Sequence, residues 1–217
     1  MSLIRFKCAC FALAGAAFAL LATAGCLLSS KPYKQVNLYD MGFAKNIAPE
    51  GTILNVESFI NESSSRNKFM YRTGTFTLKN DDYNRWTKSP SMLVSQYMQS
   101  AFRTPDSPEN PADDRYILNG KVICFEINLE KNHAIISVEY EIKSQLDRTK
   151  KFQNFAVFTE KFNKQTPDEF AKAIKAALEK LAPKIKKDLM AFAEIQKKDR
   201  LAQAAKNEQE KQAKASK

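Results

Sequence analysis

Histidine occurs once in the 217 residues, at His133, and cysteine four times, at Cys8, Cys10, Cys26 and Cys124. A single histidine excludes a multi-histidine metal centre. His133 also has no Ser–His–Asp or Cys–His partner arrangement in the sequence, so it reads as a turn residue and not as a base. Cys8 and Cys10 lie in a segment that reads as removable, and Cys26 begins the mature chain. Cys124 is then the one ordinary thiol, placed on an apolar strand pattern, and an intrachain disulfide framework is excluded. Glycine is scarce, with six residues, and there is neither a Walker A loop nor a GxGxxG turn, so any ATP in the pathway is hydrolysed by another polypeptide. Asp81-Asp82 and Asp113-Asp114 are adjacent carboxylates, but adjacency does not make two groups converge, and they read as solvated or capping loop residues. The expectation is a non-enzymatic protein with no catalytic residue, no metal and no cofactor.

The N-terminus carries an address. Arg5 and Lys7 precede an apolar run from Cys8 to Leu21, followed by Ala22, Thr23, Ala24 and Gly25. The run falls short of the roughly 20 apolar residues that span a bilayer, and its small-residue ending is that of a signal segment. Ala24-Gly25-Cys26 resembles the lipobox of bacterial lipoproteins, with Thr23 standing where Leu is usual. That resemblance implies a signal peptide over 1–25, acylation of Cys26 (palmitate among the chains) and a tether over 26–32. Each buried methylene adds about 0.8 kcal/mol, so several acyl chains on one residue hold firmly where one holds reversibly. Leu27 and Leu28 follow the cysteine, and no Asp does, which favours the outer membrane of a Gram-negative envelope over retention at the inner one.

Charge is lopsided: 34 Lys and Arg against 24 Asp and Glu, a formal +10. Removing Arg5 and Lys7 with the signal leaves +8, of which residues 196–217 carry +4 through seven basic and three acidic side chains. A secreted protein has no nucleic-acid client, so the excess suits acidic lipid headgroups or an acidic protein surface. The 196–217 tail is rich in Lys, Ala and Gln with Leu201 as its one large apolar residue. It permits a helix but offers no stripe to bury, so a solvated or frayed extension is expected, with peptidoglycan as a contact it could serve.

Between tether and tail, residues 33–195 read as one α/β domain. Strands are expected over Lys34–Tyr39 and Thr52–Phe59, an exposed polar stretch over Asn61–Asn67, and a broken β segment over Phe69–Leu78 with Gly74 as a bulge or bend. Ser89 caps a helix with Pro90 at its first position, and Leu93, Val94, Tyr97, Met98 and Ala101 form its stripe. Pro105, Pro108 and Pro111 make Thr104–Asp114 a loop. Ile123, Phe125, Ile127 and Leu129, then Ile136, Val138, Tyr140 and Ile142, alternate as an antiparallel hairpin, and Lys151–Glu160 adds a third strand. A second helix opens at Thr166-Pro167-Asp168-Glu169, a capping-box pattern, and runs on Phe170, Ile174, Ala177, Leu178, Leu181 and Ile185. Pro183 is expected to kink or divide it.

Phe69-Met70-Tyr71-Arg72, Leu78, Tyr83-Asn84-Arg85-Trp86, Pro90, Met92 and Leu93, with Tyr39 upstream and Leu118-Asn119-Gly120, Val122 and Phe125-Glu126 downstream, form an ordered set. In that order they resemble the ABC-type transport auxiliary lipoprotein family (PqiC-like), over roughly Tyr33 to Leu189. The resemblance implies a compact domain with a mixed, largely antiparallel β-sheet packed by long helices. It also implies an accessory role in intermembrane lipid transport, with an MCE-domain protein and ABC transporter components as partners and membrane phospholipid met through the anchor. Tyr71, Arg72, Tyr83, Arg85 and Trp86 are the candidate partner-binding residues. Aromatics anchor interfaces at low entropy cost, and guanidinium groups pair with carboxylates or phosphates. Packing of Trp86 in the core, and internal bridges from Arg72 or Arg85 to Asp81, Asp82 or Glu126, are the competing readings. The rival functional class is a structural envelope lipoprotein that binds peptidoglycan or regulates a cell-wall enzyme.

Overall fold

A computed structural model describes residues 34–104 and 115–215. The signal, Cys26, the tether and Asp113-Asp114 lie outside the described residues. Val36 opens the compact unit that the remainder of the chain forms. Its centre is β6 (Arg115–Asn128), joined antiparallel to β7 (His133–Ser144), which pairs antiparallel with β8 (Lys151–Lys161). These are the strands read in the sequence, but β6 starts well before Ile123 and bulges between Val122 and Cys124, so that Val122 and not Ile123 joins Phe125 and Ile127 in the core. The other edge of β6 takes three short strands in succession, all parallel to it: β2 (Ile53–Val56), β3 (Ile60–Asn61) and β4 (Lys68–Arg72). Beyond β4 come β5 (Leu78–Trp86), antiparallel to it, and β1 (Asn37–Tyr39), parallel to β5. The result is an open, mixed, eight-stranded sheet.

Both helices cover one face of that sheet. α1 (Pro90–Ala101) starts as its sequence dictates: the Ser89 hydroxyl accepts from the Met92 amide, Pro90 sits in the first turn, and Leu93, Val94, Tyr97, Met98 and Ala101 are buried. α2 (Pro167–Ala215) lays Phe170, Ile174, Ala177, Leu178, Leu181, Ile185, Leu189 and Phe192 onto Tyr116, Leu118, Ile136, Val138, Tyr140 and their neighbours in one continuous core. A polar pin also joins α2 to the sheet. The buried Tyr140 hydroxyl donates to Asp188, which also accepts from Asn154 Nδ2 at 2.9 Å and from Lys184 Nζ at 2.6 Å. Burial pushes the Asp188 carboxyl up, but these donors outweigh it and hold it below the ordinary value, while burial and Asp188 push the Tyr140 phenol up.

At Gly120 the packing leaves no room for a side chain. A Cβ there would stand 2.4 Å from the Glu139 carbonyl and 2.6 Å from the Phe59 ring, so the ring lies directly on the backbone of β6.

Four further expectations differ from the structure. Thr52–Phe59 is not one strand but ends as β2 at Val56, with β3 resuming at Ile60. Within the polar stretch Asn61–Asn67, Ser65 is buried and its hydroxyl donates to the Lys68 carbonyl at 2.7 Å, so hydrogen bonding rather than apolarity folds it inward. Leu78–Trp86 is a full strand despite its polar sequence. α2 runs through Pro183 as one element of 49 residues. Pro183 is on the exposed face, where water can take up the carbonyl its missing amide leaves unpaired, while buried Leu181, Ala182 and Ile185 hold the helix to the sheet on either side. The tail is helical to Ala215, and its side chains from Leu201 to Lys214 are exposed.

Candidate functional site

The candidate residues fall on β4 and β5, at the margin of the sheet where β1 forms the last strand. Strand alternation sends them to two faces. Phe69, Tyr71 and Trp86 turn to the helices, whereas Lys68, Arg72 and Arg85 turn to the open face, with Lys68 paired to Arg85 and Leu38 of β1 beside Arg85.

Trp86 is only 1% exposed. Its indole lies 4.1 Å from the Phe69 ring and 5.4 Å, edge-on, from Phe125, so it supports the margin from inside and offers a partner no surface. Tyr71 is half-buried against Phe170, and its hydroxyl donates to Asp81 Oδ2 at 2.7 Å. Burial, then that carboxylate, pushes its phenol well above the ordinary value. Arg72 is bound in a fork: Nε to Glu126 Oε1 at 2.6 Å and Nη2 to Glu126 Oε2 at 2.9 Å, with Nη1 on the Thr75 carbonyl. The internal bridge is thus where its guanidinium is committed, and the Glu126 hydrogen bond holds it charged.

Of the five, Tyr83 is exposed, while Arg85, like Tyr71 and Arg72, is half-buried. Tyr83 is 40% exposed, and Leu38 beside Arg85 is 65% exposed. Arg85 Nη2 donates to the Asp82 carbonyl at 3.3 Å, and its Nε is buried with no hydrogen-bond partner. Lys68 and Asp82 form an ion pair of 2.6 Å close by. The outward patch therefore comprises Leu38, Tyr83 and Arg85, framed by a paired cation and anion, which is the composition of a small interface core with a polar rim.

Asp81 organises this margin, although its sequence context reads as that of a bland loop acid. β5 advances from Asn80 to Arg85 while β4 steps back only from Met70 to Lys68, a register shift that leaves β5 amides without ladder partners. Asp81 Oδ1 accepts from the Tyr83 and Asn84 amides at 2.8 and 3.0 Å, while Oδ2 takes Asn84 Nδ2 and the Tyr71 hydroxyl. Burial raises its carboxyl, yet the Asn84 and Tyr71 bonds prevail and hold it below the ordinary value. Asn84 passes the link to β1 by accepting from Asn37 Nδ2 at 3.1 Å. The sequence signal for this role is the Asp-x-Tyr-Asn spacing, an Asx-type arrangement that binds amides two and three residues on.

Elsewhere, Cys124 is half-buried on β6 opposite Ser137, and burial followed by Glu126 pushes its thiol up to about 12, the opposite of nucleophile activation. His133 opens β7, with its Nδ1 buried. No cluster of His, Cys, Asp and Glu suited to a metal occurs among the described residues.

The family model for the ABC-type transport auxiliary lipoprotein component matches residues 60–186, which takes in β3 through β8, both candidate strands and α2 as far as Lys186. The chain belongs to that family. As one of the ABC-type transport auxiliary lipoproteins, it is a membrane-anchored envelope protein associated with an ABC transport system. Solved structures share the fold. One is a crystal structure of an uncharacterized protein, 15% identical, with a TM-score of 0.59 over 72% of this chain and 99% of that one. Another is protein XCC0632 from Xanthomonas campestris, of family DUF330, 14% identical, with a TM-score of 0.60 over 75% of this chain and 99% of that one. No curated protein matches the chain.

Proposed function

We propose that this auxiliary lipoprotein is a non-enzymatic docking component of an intermembrane lipid transport system, anchored through Cys26 in the outer membrane and facing the periplasm. The observation that carries the reading is the family match over residues 60–186, taken together with the lipobox-like Ala24-Gly25-Cys26. In this reading the acylated cysteine localises the domain, and the Leu38–Tyr83–Arg85 patch aligns a partner, an MCE-domain protein that works with the ABC transporter. Tyr71, Arg72 and Trp86 then act from within: they hold β4 and β5 in the shape that presents the patch. Cargo passes beside the domain, because the core is filled by the side chains that join helices to sheet.

Native co-purification with mass spectrometry of proteins and lipids tests the pathway. Recovery of an MCE-domain partner supports the reading, whereas retention on peptidoglycan with no such partner favours the structural envelope role through the basic 196–217 tail. A photo-crosslinker replacing Tyr83 should capture the partner, and capture only from β8 or α2 would reject the location. Cys26→Ser should release the protein from the membrane fraction, and unchanged processing and fractionation would remove the anchor from the mechanism.

A further inference from the structure

Three connections meet at one end of the sheet. Arg72 pairs with Asn128 in parallel, so the β4–β5 turn (73–77) and the β6–β7 turn (129–132) lie side by side, and the Leu129 amide donates to the Arg72 carbonyl at 3.0 Å. β8 ends there as well, with Lys161 opposite His133. Gln165 in the loop after β8 fastens the group by donating to the Leu129 carbonyl at 3.0 Å and to Asn132 Oδ1 at 2.9 Å. The turns therefore form a fixed platform. Phe76 stands out of it 95% exposed. Lys131, Lys161 and Lys164 are exposed around it, with Glu130 as the acid among them and Asp168 and Glu169 behind in the first turn of α2. Glu169 is neutralised by Lys172 at 2.9 Å.

The first strand also opens toward this side. β1 is parallel to β5, and β5 runs away from the platform, so Asn37 is approached from the platform's direction. Asn84, beside Asn37, lies at most about 20 Å along β5 from Leu78 at 3.3 Å per residue. Eleven residues can span at most about 35 Å, so a tether from Cys26 is long enough to let the platform meet the membrane.

We propose that this platform is a second membrane contact, in which Phe76 enters the headgroup layer of an anionic phospholipid surface and Lys131, Lys161 and Lys164 face its phosphates. The contact presupposes the Cys26 anchor proposed above. One aromatic and three lysines hold a free domain weakly, but a short tether supplies an effective concentration of about millimolar order, so the contact sets orientation and not localisation. The opposite end, with Leu146 60% exposed in the β7–β8 turn, then points away from the bilayer. So does α2, which continues beyond the Lys150–Asp199 contact of 3.6 Å for about another 24 Å at 1.5 Å per residue.

The test uses the mature chain from Cys26 with Cys124→Ser, coupled through the Cys26 thiol to a maleimide lipid in vesicles of phosphatidylcholine and phosphatidylglycerol. Phe76→Trp and, separately, Leu146→Trp report depth by quenching from headgroup-proximal labelled lipids, above the constant background of Trp86. Quenching at position 76 should exceed that at position 146 at least threefold, and should fall by half or more when Lys131, Lys161 and Lys164 are changed to Glu. Equal quenching at the two ends, or stronger quenching at position 146, overturns the proposal. The coupled lipid replaces the natural one, so a finding that cells do not acylate Cys26 would remove the anchor without altering this readout.

Discussion

The two sides of β6 are held by different physics. Toward β7, the ladder runs over its full length from Tyr116↔Ser144 to Asn128↔His133 with one bulge between Val122 and Cys124, and apolar residues alternating on either side of that bulge bury one face. Toward β4, β5 and β1, the strands are short, the sequence is polar, and the register breaks between Lys68 and Met70. There Asp81, the Arg72–Glu126 fork and the Trp86–Phe69–Phe125 stack do what alternation does on the other side. The hairpin side thus rests mainly on apolar packing, with the Tyr140–Asp188 pin as its charged contact to α2, whereas the β5 side depends on a few groups, each with a named partner. A margin of that kind can present Tyr83 and Arg85 outward, because its cohesion does not require every side chain to turn inward.

The sharpest way to break the contrast is Trp86→Ala, since Trp86 is where the polar margin meets the central core. A loss of about 3–5 kcal/mol is expected, read by urea unfolding followed by circular dichroism, and a loss under about 1 kcal/mol would mean the margin does not rest on that stack. Next comes Gly120→Ala, which tests the apolar side by steric means. The Glu139 carbonyl cannot yield as a ring can, so about 2–3 kcal/mol is expected from overpacking, with exchange quickening in β6 and β7 and not in β5.

Glu126→Gln should cost about 2 kcal/mol, by leaving a partly buried guanidinium with one neutral acceptor. Hydrogen exchange should place the change in β4 and the 73–77 turn. Asp81→Asn is the smallest, about 1 kcal/mol, because the amide sets a donor against the Asn84 and Tyr71 donors. Its wild-type counterpart is a pH effect. The folded carboxyl lies below its unfolded value, so its contribution is complete above the unfolded carboxylate range and is lost as pH falls through the folded value, in the region below about pH 4. The Tyr83 and Asn84 amides should therefore lose exchange protection on acidification, and Asp81→Asn should remove that pH dependence there while leaving the separate acid response of β7, where Asp188 binds Tyr140; an equal effect of the substitution on both sides would erase the distinction between them.

Much of the architecture is written locally. The Ser89–Pro90 start, the stripe Leu93–Val94–Tyr97–Met98, the opening of α2 at Pro167 and the alternation of β7 each depend on neighbours within a few residues, and each is present, whereas the alternation of β6 is interrupted by its bulge at Val122–Cys124. β5 is not legible in the sequence, because Leu78–Trp86 has no apolar period and carries Asp81-Asp82 where a turn would. It is a strand only because β4 and β1 supply ladders on both sides and Asp81 takes up the amides its bulge releases. The candidate site is half legible for the same reason. Its residue types are visible, but which of them face a partner is not: Arg72 is committed to Glu126, 54 residues away, and Trp86 to a core assembled from three strands.

By itself, the sequence determined the family, the helices with their caps and stripes, and the central hairpin, since chain order and hydrophobic period are properties of contiguous residues. Only the tertiary structure decided that a polar segment becomes β5, that Pro183 rides the exposed face of an unbroken helix, and that Phe76, Lys131 and Lys164 share one end of the sheet. Each of these depends on contacts between residues distant in the chain, and their free energy exists only once the partners have been brought together.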